Sequence, residues 1–193
     1  MFPFSSFLTY IVVTSITPGP NNIVALSNGT RLGWRGGLPY LAGQQMAQWV
    51  LINGCIFAFR SLNSLLPRLA PVMRVVGAAY ILYLAWKTFR SGSDVESRES
   101  HATFRSGVAL QLVNPKLYLY IFATAQAYIL PYFSDQPAAM LGLGTVMTLC
   151  CGACSLCWLL GGCLFRRVLR RWGRIVNAVM ALLLAYCAVS LFL

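Results

Sequence analysis

The chain has 193 residues, of which 58% are hydrophobic and only 10% charged, with a mean hydropathy of +0.67; a soluble domain carries roughly 25% charged residues. Its apolar runs are too long and too frequent for a soluble core, so the composition reads as an all-α integral membrane protein. The net charge of +11 does not argue for nucleic-acid binding, because the fifteen Lys and Arg sit almost entirely between apolar runs, where they usually encode orientation.

Met1 to Tyr10 contains no Lys or Arg and so lacks the charged start of a signal peptide; it reads as the beginning of a retained membrane helix. Six candidate spans follow, each near the ~20 residues that cross a bilayer core. The first runs from about Phe4 to Asn28 and is broken at Pro18 and Pro20. A loop with Gly29, Gly33, Gly36 and Gly37 around Arg31 and Arg35 leads to the second, about Leu38 to Phe59. The third, about Pro71 to Phe89, contains Arg74 and Lys87, long side chains that can snorkel to the interfaces. A polar stretch with Asp94, Glu96, Glu99 and His101 reads as a flexible linker over about 91–105. The fourth span, about Gly107 to Leu130, is interrupted at Asn114-Pro115-Lys116. The fifth is about Pro137 to Phe165 and the sixth about Ile175 to Leu193.

The breaks recur. Pro18 and Pro115 stand 97 residues apart, Gly43 and Gly142 stand 99 apart, and Gly77-Ala78-Ala79-Tyr80 can be laid on Asn177-Ala178-Val179-Met180. Three helices per half force the second half to enter from the opposite side, so the expected fold is a single domain of two inverted three-helix repeats, about 1–90 and 106–193, with Pro-broken first and fourth helices. The loops after spans one, three and five hold eleven basic residues: Arg31, Arg35, Lys87, Arg90, Arg98, Arg105, Arg166, Arg167, Arg170, Arg171 and Arg174. The opposite side holds three, Arg60, Arg68 and Arg74. The imbalance places the eleven in the cytoplasm and both termini in the periplasm. Six spans enclose little volume, which suggests a homodimer.

A helix broken inside hydrocarbon is tolerated only where protein or a water-filled cavity satisfies the freed groups. Matched breaks in two halves therefore point to a transporter's binding site, with Pro18, Gly19, Pro20, Asn21 and Asn22 in one half and Asn114, Pro115 and Lys116 in the other. Amides at a restarting helix suit a carboxylate; freed carbonyls and asparagine side chains suit an ammonium. Together they describe a zwitterionic amino acid, against the alternative of kinked helices that merely pack. Lys116, the charged residue deepest in a span, either binds a carboxylate, gives up its proton, snorkels or bonds to freed carbonyls. Gln44 and Gln48 share a helical face at i, i+4 and either line the cavity or bond across helices, as do Gln111 and Gln126. Cys150, Cys151, Cys154, Cys157 and Cys163 fall in an apolar segment without His or carboxylate and read as small packing residues. No nucleotide loop, catalytic triad or metal motif is present, so neither an enzyme nor a cofactor is expected.

Thr17-Pro18-Gly19-Pro20-Asn21-Asn22, the loop Gly29 to Gly37 leading to Gly43, and Asn114-Pro115-Lys116 resemble the LysE/RhtB family of bacterial amino-acid exporters over essentially the whole chain. Ala181 to Val189 and the Cys157-Trp158 region look most similar to its cysteine/O-acetylserine branch, whose second motif often lacks the proline found here at Pro115. The resemblance implies efflux of small neutral amino acids across the bacterial inner membrane, driven by an ion gradient or the membrane potential, with Pro18, Gly19, Pro20, Asn21, Asn114, Pro115 and Lys116 as motif positions. The rivals are a membrane thiol–disulfide electron conduit, which needs a cysteine pair at the breaks whereas the sequence puts the cysteines elsewhere, and a non-transporting membrane subunit.

Overall fold

The computed structural model describes residues 1–90, 102–164 and 173–189, and among these every regular element is helical. Most of the expected linker and the arginines at 166, 167, 170 and 171 lie outside the described residues, as do the last four residues of the expected sixth span. Helix α1 (Phe4–Ile16) stops at Thr17, whose backbone is extended at ψ 139°, as sterics with a following proline demand. Helix α2 (Pro20–Phe57) restarts with Pro20 in its first turn, where the missing N–H is no loss. Helix α3 (Phe59–Arg90) follows after the single residue Ala58. Helix α4 (Phe104–Leu112) is capped by Thr103, whose Oγ1 accepts from Ser106 N at 3.1 Å. It breaks at Val113-Asn114, and α5 (Pro115–Thr124) restarts on a proline in turn. A π-helical turn (Ala125–Ile129) joins α5 to α6 (Leu130–Phe133); α7 (Pro137–Leu164) and α8 (Gly173–Val189) complete the described chain.

Several expected boundaries move. The glycine-rich loop between the first two spans is helical backbone except at Gly33, at φ 75° and ψ 179°, a region open essentially to glycine alone. Helix α3 begins well before Pro71 and α4 begins at Phe104, because hydropathy locates where a helix is apolar, not where its backbone starts. Pro20 and Pro115 each open a restarting helix, whereas Pro18 lies in the break before α2. Gly43 and Gly142 have different surroundings: a Cβ on Gly43 would meet Phe104 O at 2.0 Å, whereas Gly142 faces open space. By length and composition α7 is the helix among the described residues able to cross a membrane; the apolar pieces Phe4–Ile16, Val75–Trp86 and Ala178–Val189 are shorter.

Helices α2 and α7 run antiparallel along each other, from Leu26 opposite Gly162 to Asn53 opposite Gly144. Their approach depends on small residues: a Cβ on Gly162 would fall 2.2 Å from Leu26 O, and one on Gly29 2.0 Å from Leu159 O. Helix α4 beds against α2 in the same way, with Gly107 facing Tyr40 O. Helix α1 packs on α7, and α3 on α8. Two apolar clusters result. One gathers Ile23, Leu41, Leu110, Leu159 and Leu184; the other gathers Ile11, Ile52, Ile121, Ala125 and Met147. Along α2, α7 and the broken pair α4–α5, buried polar residues fall in sequence between members of the two clusters: Gln44 and Gln48, Ser155, and Gln111 and Asn114. The first break occupies the same interval between Ile11 and Ile23.

Candidate functional site

The first break leaves the last carbonyls of α1 without helical partners, and in hydrocarbon each orphan costs several kcal/mol. All are answered. Val13 O accepts from Thr17 N at 3.2 Å and Thr14 O from Thr17 Oγ1 at 2.6 Å. Ser15 O accepts from Asn22 Nδ2 at 2.8 Å and Ile16 O from Trp158 Nε1 at 3.1 Å. Thr17 O accepts from Asn22 Nδ2 at 3.0 Å and from Lys116 Nζ at 3.2 Å. Lys116 Nζ also donates to Thr17 Oγ1 at 3.1 Å. Among the open alternatives for Lys116, the structure thus places it on a freed carbonyl, that of Thr17 at the first break.

The two restarts differ. At the second, Asn114 Oδ1 accepts from Lys116 N at 3.1 Å and Asn114 O from Leu117 N at 3.1 Å, so the start of α5 is capped. At the first, Gly19 is extended at φ −159° and ψ 172° and no side chain caps α2. A Cβ on Gly19 would lie 3.1 Å from Lys116 Nζ. The positive end of the α2 dipole and an ammonium therefore converge on one spot.

Two hydrogen-bonded chains link the breaks to the helices around them. Asn21 Nδ2 donates to Gln111 Oε1, and Gln111 Nε2 to Gln48 Oε1 at 2.8 Å. Gln44 Nε2 donates to Ser155 Oγ at 2.8 Å, which donates to Asn22 Oδ1 at 3.2 Å. These groups surround a cavity of about 60 Å³, room for roughly four waters at 10–15 Å³ each. Asn21 Oδ1, Gln44 Oε1 and the Tyr120 hydroxyl are buried without a hydrogen-bond partner, and all three residues line this cavity. Buried unpaired polar atoms are costly, and these three give the cavity hydrogen-bonding capacity that the protein itself leaves unused.

Residues 12–193 match the family described as LysE type translocator. The chain belongs to this family of membrane proteins. Among relatives of this LysE-type translocator, the "Cysteine/O-acetylserine efflux protein" of Salmonella typhimurium is 38% identical over 189 residues, covering 97% of this chain and 96% of the relative. The protein of the same description from Escherichia coli (strain K12) is 36% identical over the same length and coverage. No solved structure matches the chain.

Of the site residues expected from the sequence, the translocator's cavity is lined by Gly19, Pro20, Asn21, Asn22, Gln44, Gln48, Asn114 and Lys116. Pro18 and Pro115 stand outside it. Pro18 is exposed, and Pro115 is buried against α3, where a Cβ on Gly77 would meet its Cδ at 2.9 Å. The lining also includes Thr14, Ser15, Leu117, Tyr120, Cys151 and Ser155, which the sequence did not single out as site residues. The expectation that the cysteines lie away from the breaks is corrected for Cys151, whose Sγ is 3.0 Å from Ser15 Oγ, two residues before Thr17. The signal for Ser155 was its hydroxyl in a segment otherwise almost without side-chain polarity.

Proposed function

We propose that this translocator exports small neutral amino acids, cysteine or O-acetylserine first, across the bacterial inner membrane. What carries the proposal is the pairing of charges in one cavity. Lys116 Nζ beside the uncapped start of α2 suits a carboxylate. The unpartnered Asn21 Oδ1 and Gln44 Oε1 suit an ammonium. The names of the relatives add the substrate class.

Export proceeds by alternating access around the two breaks, driven by an ion gradient or the membrane potential, with the protein as carrier and not as enzyme. The single domain comprises six spans in two inverted halves, with the arginine-rich loops cytoplasmic, both termini periplasmic, and two chains per assembly. The packing supports that plan: α1 lies on α7 as α4 lies on α2, and α3 pairs with α8.

The test measures amino acids in the spent medium of cells overproducing the protein, with Asn21→Ala and Asn114→Ala at matched membrane levels. A rise in a few small neutral amino acids, absent in both variants, is expected. No rise for the wild type would sink the export reading, and full activity in both variants would sink the site.

A further inference from the structure

The cavity wall has two levels. Three helices each contribute a pair spaced i, i+4: Lys116 and Tyr120 from α5, Gln44 and Gln48 from α2, and Ser155 and Cys151 from α7. Lys116, Gln44 and Ser155 stand at the level of the first break, as their bonds to Thr17 and Asn22 and to one another require. Tyr120, Gln48 and Cys151 stand one turn, about 5.4 Å, beyond. Ser15, on the α1 side of the break, joins this second level through its 3.0 Å contact with Cys151 Sγ.

The second level presents a distinct chemistry. It carries no formal charge. Tyr120 is 5% exposed, and its hydroxyl lies beside Cys151 and Ser15 without a well-formed hydrogen bond to either. Tyr10 of α1 stacks on its ring at 6.4 Å with an interplanar angle of 9°, which holds that ring in place. Cys151 packs against the apolar cluster around Ile121, and its Sγ also meets the Ser15 hydroxyl on the cavity wall. A thiol or hydroxyl both donates and accepts hydrogen bonds, so Ser15, Cys151 and Tyr120 can meet either a donor or an acceptor.

We infer that Ser15, Tyr120 and Cys151 form the subsite for the substrate's side chain, selecting short side chains that end in a hydrogen-bonding heteroatom: a thiol, a hydroxyl or an ester carbonyl. The inference deepens the export reading and depends on it. The carboxylate and ammonium are held at the level of the break, and a short side chain reaches about one turn further. Apolar side chains of the same size enter but offer Ser15, Tyr120 and Cys151 no hydrogen-bonding group, so they are disfavoured by discrimination of the kind polar pockets exert.

The test uses the purified full chain in proteoliposomes under reducing conditions, with radiolabelled cysteine, O-acetylserine and alanine in parallel. Alanine shares the charged groups but lacks the heteroatom. Tyr120→Phe and Cys151→Ala should each lower the ratio of cysteine or O-acetylserine transport to alanine transport by roughly three- to tenfold, the worth of one hydrogen bond. Cys151→Ser should keep most of the ratio. An unchanged ratio in both Tyr120→Phe and Cys151→Ala, or an equal fall for all three substrates, overturns the subsite while leaving export standing. Transport of none of the three by the wild type overturns export itself and the subsite with it.

Discussion

Lys116 is the one formally charged residue among those lining the cavity, and its position sets a rule about substrates. In the proposed binding mode a zwitterion brings a carboxylate to that ammonium and carries its own ammonium to Asn21 and Gln44. A basic amino acid brings a second cation into the same small space. At a separation of about 6 Å and an effective dielectric constant of about 20, two like charges repel by about 3 kcal/mol, roughly a hundredfold in affinity. Lysine and ornithine are therefore expected to compete with labelled alanine at least roughly fiftyfold more weakly than serine does in inside-out vesicles. Lys116→Met should narrow that gap while slowing every neutral substrate. Equal competition by lysine and serine in the wild type would refute this account.

At the scale of elements, the devices that shape the site are breaks, and each has a local cause. Gly33 is the sharpest case, because its φ of 75° with ψ of 179° strains any residue with a Cβ by about 1–3 kcal/mol. Gly33→Ala is expected to lower the thermal midpoint of the detergent-purified protein. Gly54→Ala, in the same helix but facing open space, should raise it slightly, since alanine favours a helix over glycine by about 0.5–1 kcal/mol. If both substitutions destabilise alike, backbone conformation at Gly33 is not the cause. The same contrast explains what could be read in advance. Proline, glycine and asparagine change the backbone locally, so Thr17 to Asn22 and Asn114 to Lys116 announced the breaks, and Gln44 and Gln48 stood out on an apolar helix. Nothing local announced that Lys116 would reach Thr17, 99 residues away. Helix α7 is apolar nearly all round, so no periodicity marked the face carrying Cys151 and Ser155, and a cavity-lining cysteine looks like a packing one in sequence. The bounds of α3 and of the glycine-rich segment were misplaced for a different reason: backbone helicity extends through residues that hydropathy scores as loop.

Taken whole, the molecule places a wet layer between two dry ones. The clusters around Ile23 and Leu159 and around Ile11 and Ile121 flank the polar layer along the helices that enclose it. The π-helical turn after α5 lies on the second of these sides, and its Tyr128 packs against Phe7 and Tyr10 of α1 at 5.8 and 5.7 Å; wide turns of this kind recur where helices adjust in function. In a bilayer that sandwich behaves as an insulator. No Asp or Glu lines the cavity, so protons have no carboxylate stepping-stones there, and the two apolar slabs are expected to bar a continuous file of water. Proteoliposomes holding the empty protein should therefore keep an imposed pH difference as long as protein-free ones, and Ile121→Ser, which wets one slab, should shorten that time. A wild type that leaks as fast as Ile121→Ser would mean the slabs do not seal. If the slabs seal as expected, such a carrier can remain abundant in an energised membrane without short-circuiting it, and the cell need not keep its copy number low to preserve its voltage.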